Sequence, residues 1–336
     1  MKPKVLLTAV VPDPVLAKIE EVATVEMWEN ETPIPRQELL ERVQDVEGVY
    51  CFLTDRIDRE VVNRAPRLRV VSTMAVGYDH IDVEECTSRG IVVGHTPGVL
   101  TETTADLAFA LLLATARRVV EAANFVKAGQ WQRWEASLFL GQDVHGATLG
   151  IVGFGRIGQA VARRAQGFDM RILVSHSTTL PAEVQRAAAI RQVDFETLLE
   201  EADVVSLHVP LTPSTRHLLS SPEFRRMKPT AILINTARGP VVDTHALYDA
   251  LHEKQIAAAG LDVTDPEPLP PQHPLLTLPN CVIVPHIGSA SLATRRRMAM
   301  MAADNLVAGL LGQCPPHCVN PEAMTVREKI TRHMSS

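Results

Sequence analysis

The sequence predicts an α/β protein built from two doubly wound domains, each with a parallel sheet, and a cleft between the two domains. Apolar, strand-like runs alternate with helical patterns along most of the chain, which is typical of parallel sheets with crossover helices. A glycine-rich turn follows a strand near the middle of the 336 residues, with a complete strand and helix series on each side. A length of about 150 residues per domain also gives two domains.

Two series of apolar runs define the predicted sheets. The first series contains KVLLTAV, GVYCFL, LRVVSTM and IVVGHT, separated by the helical patterns DPVLAKIEEVA, REVVNRA and DVEECTSRG. The second series contains LGIVGFG, RILVSH, DVVSLHVP, AILINTA, AAGLDV and CVIVPH. Each series is sufficient for one parallel sheet.

Two apolar helices connect the predicted domains. Residues 101–128 indicate one long, heavily apolar helix that bridges the domains, with an N-cap at Thr101 or Thr103. The last apolar helix, ATRRRMAMMAADNLVAGLLG, follows the second sheet and is expected to return to the first domain. The polar tail after Pro321 is expected to be frayed.

These connections give the predicted domain boundaries. The first, discontinuous domain comprises residues 1–100 and 290–336 and is expected to bind the substrate. The second comprises residues 101–289 and is expected to bind a dinucleotide, because it contains the glycine-rich turn.

The stretch ATLGIVGFGRIG carries the strongest functional signal. Gly153 permits a sharp turn, Gly155 lets backbone N–H groups approach a pyrophosphate, and Gly158 lets the following helix pack close to its strand. A glycine spacing alone often matches by chance, and a turn kept only for packing is the alternative. The context of strand, turn and helix favours a Rossmann-like dinucleotide site. Arg156 and Ile157 are therefore candidate cofactor contacts.

Composition and charge exclude several classes of function. A net charge of −6, a pI of about 6.1 and the lack of a long basic block argue against a nucleic-acid surface. The five cysteines are mostly scattered, which indicates neither a disulfide framework nor a zinc site and favours a reducing cytoplasm. The N-terminal apolar run is too short, and too soon broken by prolines, for a signal peptide or a membrane span. We expect no metal.

Three polar clusters follow strands of the second series, where α/β sheets bind ligands. They are ILINTARGPVVD with Arg238, AAGLDVTDPEPLP with Asp262 and Glu267, and CVIVPHIGSAS with His286. The planar, permanently charged guanidinium of Arg238 can bind a carboxylate through two hydrogen bonds. The alternative interpretation is that Arg238 forms a surface salt bridge. His286 can exchange a proton near neutral pH, whereas other histidines, including His95, are expected to be structural or at the surface. Glu267 would fix the tautomer of His286 and favour its protonated form, unless it is a solvated loop carboxylate.

These segments together resemble the D-isomer-specific 2-hydroxyacid dehydrogenases, and the resemblance covers nearly the whole chain. The stretches VGYDHIDVEECTSRGIVVGHTPGVLTETTADLA, QIAAAGLDVTDPEPLP and HPLLTLPNCVIVPHIGSA are most similar to the glyoxylate/hydroxypyruvate reductase branch. The family uses Arg, Glu and His in this order, which implies that Arg238, Glu267 and His286 are catalytic. The implied reaction reduces a small 2-oxo acid by hydride transfer from a reduced nicotinamide.

The resemblance also implies further contacts. It places Asp262 near the nicotinamide carboxamide and the loop Ala75-Val76-Gly77 at the substrate carboxylate, through backbone N–H groups. Leu53 would line the opposite wall of the substrate pocket, with an ordinary core leucine as the alternative. The other expected cofactor contacts are Thr104, Pro210, Thr215, Thr236 and Ser289.

A missing charge predicts the choice of cofactor. In NAD-specific sites an Asp or Glu about 20 residues past the glycine turn binds the ribose 2′-hydroxyl and repels a 2′-phosphate. Here that position is His176, followed by the hydroxyl residues Ser177, Thr178 and Thr179. NADPH is therefore the expected cofactor. The chain lacks the Arg that NADP-using members often place just after this strand, Arg156 being the nearest cation, so the use of NAD stays open.

The apolar helix also predicts a homodimer. Around residues 104–120 it is too hydrophobic for one solvated face, and the resemblance implies a two-fold interface that uses it. Trp131 and Trp134 are expected in the same interface, with core packing as the alternative.

Other functions of the same fold fit less well. Phosphite dehydrogenase carries a Lys in its substrate loop where this chain has Val76, and formate dehydrogenases pair their histidine with Gln rather than with a residue like Glu267. The chain is too short for the added regulatory domain of many phosphoglycerate dehydrogenases. A nicotinamide-binding corepressor with little turnover stays open as a different class of function.

Overall fold

The computed structural model describes residues 2–334, which form two compact units. The strands are β1 (Lys4–Leu7), β2 (Thr24–Met27), β3 (Gly48–Cys51), β4 (Val70–Thr73), β5 (Val92–Gly94), β6 (Thr148–Val152), β7 (Arg171–Ser175), β8 (Ile190–Gln192), β9 (Val204–Leu207), β10 (Ile232–Asn235), β11 (Ala258–Leu261) and β12 (Cys281–Ile283). The α-helices are α1 (Asp13–Glu20), α2 (Arg36–Arg42), α3 (Arg59–Arg64), α4 (Val83–Ser88), α5 (Thr101–Ala116), α6 (Val119–Lys127), α7 (Arg156–Gln166), α8 (Ala182–Ala187), α9 (Phe195–Glu201), α10 (Ser221–Arg226), α11 (Thr244–His252), α12 (Leu292–Leu310) and α13 (Ala323–Met334).

The first unit runs to Leu100 and resumes at Ser291. Its five strands are parallel, in the order β2-β1-β3-β4-β5. Strands β3 to β5 are buried along their whole length, as expected for a parallel sheet covered on both faces. Strand β2 is not predicted from the sequence, because this edge strand is only partly buried and has no continuous apolar run.

Helix α12 packs against β3, β4 and β5 and therefore belongs to the first unit. The buried Tyr50 hydroxyl donates to the carbonyl of Ala299 at 3.1 Å, and the Ser72 hydroxyl donates to the carbonyl of Ala302 at 2.7 Å. Gly309 allows the close approach, since an added Cβ would lie 2.6 Å from the Val70 side chain.

The expectation of a frayed tail is wrong for the residues up to Met334. They form α13, and Arg327 donates from Nε to the carbonyl of Gly90 at 2.8 Å. Just before the helix, the fully buried Asn320 accepts a hydrogen bond from the N–H of Val93 at 2.7 Å. Long-range hydrogen bonds that the local sequence does not reveal therefore hold the tail against the first unit. The last two residues of the expected tail lie outside the described residues.

The second unit comprises residues 101–290 and contains seven parallel strands in the order β12-β11-β10-β9-β6-β7-β8. The strand order reverses between β6 and β9, and open α/β sheets bind ligands at the carboxyl ends of the strands at such a point. The three-residue edge strand β8 is not predicted from the sequence, and only Ile190 in it is buried. Both units have the predicted α/β, doubly wound fold class.

The predicted helix over residues 101–128 is interrupted. Arg118 adopts a left-handed conformation with φ of 53°, which ends α5 and starts α6. Helix α5 already includes Thr101, so the expected N-cap at Thr101 or Thr103 is wrong. Phe109, Leu111 and Leu112 are buried within the second unit, where α5 packs against β10, β11 and α7.

The apolar character of α5 is therefore satisfied within the chain, and it does not by itself indicate an intersubunit surface. Helix α6, in contrast, has no buried residue. Within residues 2–334, no helix combines the length and the apolar character needed to cross a membrane.

Candidate active site

The glycine turn joins β6 to α7 with the geometry that a bound pyrophosphate requires. Gly153 has φ of +93°, and an added Cβ would lie 2.7 Å from the carbonyl of His208. At Gly158 a Cβ would collide with the carbonyl of Gly153, so only glycine lets α7 pack this close to β6. A Cβ on Gly155 would meet nothing within 4 Å. This open space lies at the N-terminus of α7, where backbone N–H groups and the helix dipole favour phosphate, so the residues present fit a dinucleotide.

His176 lies at the end of β7, beside the glycine turn. Its Nδ1 accepts a hydrogen bond from the N–H of Phe154 at 3.3 Å. Because an accepting nitrogen carries no proton, the proton of the neutral ring is on Nε2, which is then a donor. Ser177 and Arg156 are exposed, and Ile157 is half-buried.

Two threonines among the expected cofactor contacts differ in the hydrogen bonding of their hydroxyls. The Thr215 hydroxyl donates to the carbonyl of Pro210 at 2.6 Å and accepts from the N–H of Thr212 at 2.8 Å, so it closes its own loop. The Thr236 hydroxyl is buried and has no hydrogen-bond partner among residues 2–334. An unpartnered buried hydroxyl is costly, so a ligand or a water is expected to satisfy it.

Arg238 follows β10 in a bend that a buried side chain holds. Asn235, 1% exposed, accepts from the N–H of Ala237 and donates to the carbonyl of Arg238, both at 3.0 Å. Gly239 packs directly on the carbonyl of Thr264, which leaves no room for a Cβ. Asn235 is not among the residues predicted from the sequence, although a polar residue at the end of the apolar run ILIN is a usable signal.

Glu267 and His286 form a direct pair. The Nδ1 of His286 lies 2.6 Å from Oε1 of Glu267, while the N–H of Thr264 donates to Oε2 at 3.2 Å. Burial acts to raise the pKa of Glu267, but the hydrogen bond and charge of His286, the Thr264 N–H and the charge of Arg238 outweigh it, and the pKa is lowered. Glu267 is therefore a carboxylate at neutral pH. Since it only accepts, Nδ1 carries a proton and Nε2 is left for other chemistry.

Asp262 holds the loop that carries His286. Its carboxylate, 2% exposed, accepts from the N–H of Ile287 at 2.6 Å and from the N–H of Gly288 at 2.8 Å. The N–H of His286 donates to the Asp262 carbonyl at 2.9 Å, and His286 has φ of 52°. Burial raises the pKa of Asp262, and the two N–H donors oppose this rise. The sequence resemblance implies a contact of Asp262 with the nicotinamide but does not reveal this positioning role. Two expected cofactor contacts lie at this loop: buried Thr104 is beside Gly288, and half-buried Ser289 follows Gly288 in the chain.

The expected substrate residues lie in the first unit, in loops that follow β3 and β4. Half-buried Leu53 belongs to a turn anchored by Asp55, whose buried carboxylate accepts from the Thr8 hydroxyl and from the N–H of Phe52. Burial raises the pKa of Asp55, and these donors oppose the rise. After β4, the Ala75 carbonyl accepts from the N–H of Thr96 at 2.9 Å. The carbonyl of Val76 lies 2.9 Å from Nδ1 of His95.

Arg238, Glu267 and His286 thus follow β10, β11 and β12, which are neighbouring strands in the sheet of the second unit. The glycine turn follows β6 in the same sheet. Within the described residues, no group of three His, Cys, Asp or Glu side chains could hold a metal ion.

Comparisons with known proteins agree with this geometry. Residues 109–288 match the model of the D-isomer specific 2-hydroxyacid dehydrogenase, NAD binding domain. The glyoxylate reductase of Korarchaeum cryptofilum is 54% identical over 97% of this chain and 98% of its own length. The glyoxylate reductase of Pyrococcus furiosus is 51% identical over 98% of each chain.

Solved structures give the same result. A protein of Thermus thermophilus, 51% identical, superposes with a TM-score of 0.88 over 94% of this chain and 99% of its own. An NADPH-dependent glyoxylate/hydroxypyruvate reductase of Sinorhizobium meliloti, in complex with NADP and malonate, is 32% identical, with a TM-score of 0.84 over 96% of this chain and 98% of its own. The resemblance inferred from the sequence is confirmed: the chain belongs to the D-isomer specific 2-hydroxyacid dehydrogenase family and is an oxidoreductase that binds a nicotinamide dinucleotide.

Proposed function

We propose that the protein reduces a small 2-oxo acid, glyoxylate or hydroxypyruvate, to the D-2-hydroxy acid with a hydride from NAD(P)H. The observation that carries the proposal is the pair of Glu267 and His286, 2.6 Å apart, with Gly239, the neighbour of Arg238, packed directly against the loop that carries Glu267. Such a pair supplies a positioned acid, and the arginine supplies a fixed charge for an anionic substrate. The names of the glyoxylate reductases of Korarchaeum cryptofilum and Pyrococcus furiosus and of the Sinorhizobium meliloti reductase support this substrate class.

His286 acts as the general acid in the proposed mechanism. With Nδ1 directed to Glu267, protonated Nε2 donates its proton to the C2 oxygen of the substrate as C2 receives the hydride. A reduced nicotinamide supplies that hydride when bound. His286 is left neutral and regains a proton from solvent. The Arg238 fork binds the substrate carboxylate and polarises the adjacent carbonyl.

Backbone N–H groups of Ala75, Val76 and Gly77 also bind the carboxylate in this proposal, and Leu53 limits the size of the substrate side chain. The proposed cofactor contacts are Thr104, Gly153, Gly155, Arg156, Ile157, Gly158, His176, Ser177, Pro210, Thr215, Thr236, Asp262 and Ser289. The open space at Gly155 and the unpartnered hydroxyl of Thr236 support two of these assignments.

We further propose that NADPH is preferred to NADH. The position that repels a 2′-phosphate in NAD-specific sites holds His176, whose hydrogen bond with Phe154 leaves an Nε2 proton available to donate. The exposed hydroxyl of Ser177 adds a second donor.

His286→Ala is expected to lower kcat for glyoxylate by about 10² to 10⁴ while NADPH binding stays nearly unchanged, because the imidazole acts on the substrate oxygen. NADPH oxidation at 340 nm and NADPH fluorescence titration measure the two effects. Exposed His145→Ala is the matched control. Near-normal reduction of both 2-oxo acids by the His286 variant would overturn the assignment. A wild-type protein that binds NADPH without oxidising it would instead favour the corepressor-like alternative.

Glu267→Gln is expected to reduce the rate less and to move the alkaline limb of the kcat/KM profile for reduction to lower pH. The lowered pKa of Glu267 keeps its carboxylate charged throughout the neutral range, so it stabilises the imidazolium of His286 there, and glutamine does not. The pH dependence of glyoxylate reduction tests this, with exposed Glu183→Gln as the control. An alkaline limb that stays in place would contradict the pairing.

His176→Asp is expected to lower the ratio of kcat/KM for NADPH over NADH by about tenfold or more, because a carboxylate repels the 2′-phosphate and accepts from the 2′-hydroxyl. An aspartate at this position can still accept the hydrogen bond from the N–H of Phe154, so the glycine turn should keep its conformation. His176→Asn, similar in size and neutral, is the control and should keep the wild-type preference. A wild-type enzyme with the higher kcat/KM for NADH would show that the argument from the missing carboxylate fails.

We also propose a two-fold dimer, formed through residues 119–140, which we name the arm. Its exposed apolar side chains support this: Trp134 is 79% exposed, Leu140 67% and Trp131 58%. Sedimentation at micromolar concentration should show a dimer, and Val126→Asp combined with Trp134→Glu should give a folded monomer. Leu311→Asp, at an exposed apolar residue outside the arm, is the control. A wild-type monomer would overturn this proposal.

A further inference from the structure

The loop Ala75-Val76-Gly77 presents unpaired backbone donors. Within residues 2–334, the N–H groups of Val76 and Gly77 donate to no protein atom, although both residues are half-buried. Backbone N–H groups that remain free at a strand end favour an anion. How strongly these N–H groups bind an anion depends on the direction in which they point, because a hydrogen bond weakens steeply as it departs from linearity.

His95 controls the direction of one of these donors. Its Nδ1 lies 2.9 Å from the carbonyl oxygen of Val76. A carbonyl oxygen only accepts, so Nδ1 carries the proton and the imidazole is the donor. The ring is also held from the side, since the Tyr78 ring meets it edge-on at 5.5 Å between centroids.

The planar peptide bond between Val76 and Gly77 couples the direction of the Val76 carbonyl to that of the Gly77 N–H. The bond between Val76 and Gly77 is trans, so the Val76 carbonyl and the Gly77 N–H point in opposite directions from one rigid plane. A hydrogen bond that fixes the carbonyl toward His95 therefore fixes the Gly77 N–H away from it. Without that bond the plane can rotate, and the donor loses its direction.

The backbone of His95 is itself anchored from both sides. Its carbonyl accepts from Nδ2 of the fully buried Asn305 at 2.8 Å, and its N–H donates to the carbonyl of His317 at 3.1 Å. Asn305 in turn accepts from the N–H of His317 at 3.0 Å. Gly94 leaves space for Asn305, since an added Cβ would collide with it. The imidazole therefore extends from a rigid base.

We propose that His95 is a positioning residue for substrate binding: by holding the Val76 carbonyl, it directs the Gly77 N–H toward the substrate carboxylate. His95 touches neither the substrate nor the cofactor in this inference. The inference rests on the proposed function, which assigns the carboxylate to this loop. It goes against the sequence expectation that His95 is merely structural or at the surface.

Two substitutions separate the donor from the ring. His95→Phe keeps an aromatic ring against Tyr78 and removes the donor, whereas His95→Asn removes the ring and places an amide N–H₂ near the position of Nδ1. We expect His95→Phe to raise KM for glyoxylate and Ki for oxamate, a 2-oxo acid analogue, by about tenfold. The kcat of His95→Phe should change less than about twofold, because His286 and Arg238, which are proposed to act on the C2 carbonyl, are still present. His95→Asn should restore both constants to within about twofold of the wild type.

Two further readouts and a substitute variant complete the test. NADPH affinity should be unchanged in both variants, and a crystal structure of His95→Phe should show the Val76 carbonyl turned from its wild-type direction. If His95→Phe loses its cooperative thermal transition, His95→Ala provides the same loss of donor without added volume. An unchanged KM in the donor-free variant, or equal impairment of the Phe and Asn variants, would overturn the inference. A wild-type protein that neither reduces 2-oxo acids nor binds oxamate would instead overturn the proposed function, and the inference with it.

Discussion

The buried carboxylate of Asp262 accepts the N–H groups of Ile287 and Gly288, and this contact fixes the loop on which the candidate site depends. A carboxylate removed from water is costly unless it is hydrogen-bonded, and the two short N–H contacts offset that cost. The loop follows the sheet's edge strand β12, which ends at Ile283. With the loop held, His286 keeps its left-handed backbone, and its ring meets Glu267.

Asp262 and Glu267 show how two carboxylates in one loop acquire different properties. Burial dominates at Asp262 and raises its pKa, while at Glu267 the partner His286 outweighs burial and the pKa is lowered. Asp262 therefore suits a positioning role, and Glu267 suits the role of a charged partner of His286. The close packing of Gly239 on Thr264 connects the Arg238 segment to this same loop. One loop after β11 thus links all three members of the proposed triad.

The two units use buried polar side chains in the same way. In the second unit, Asn235 fixes the bend that carries Arg238. In the first unit, Asn305 and Asn320 connect the C-terminal segment to the end of β5 and to its neighbours. Each of these side chains satisfies backbone groups that would otherwise be buried without a partner, which makes the connection specific as well as stable. The bend that carries Arg238 and the segments beside β5 are thereby held by buried amide side chains.

The sequence by itself determined the fold class and the glycine turn, and it suggested the residues of the proposed triad, because buried parallel strands and close backbone approaches leave strong local patterns. Edge strands β2 and β8 were missed, since a half-exposed strand has no continuous apolar run. The break at Arg118, the docking of α13, and the hydrogen bonds of Asn235, Asp262 and His95 were decided only by tertiary structure. Each depends on a partner distant in the chain, as when Asn320 binds the backbone of Val93. Local propensity contains no information about such a partner, so only the folded chain shows that a polar residue is a support rather than a surface group.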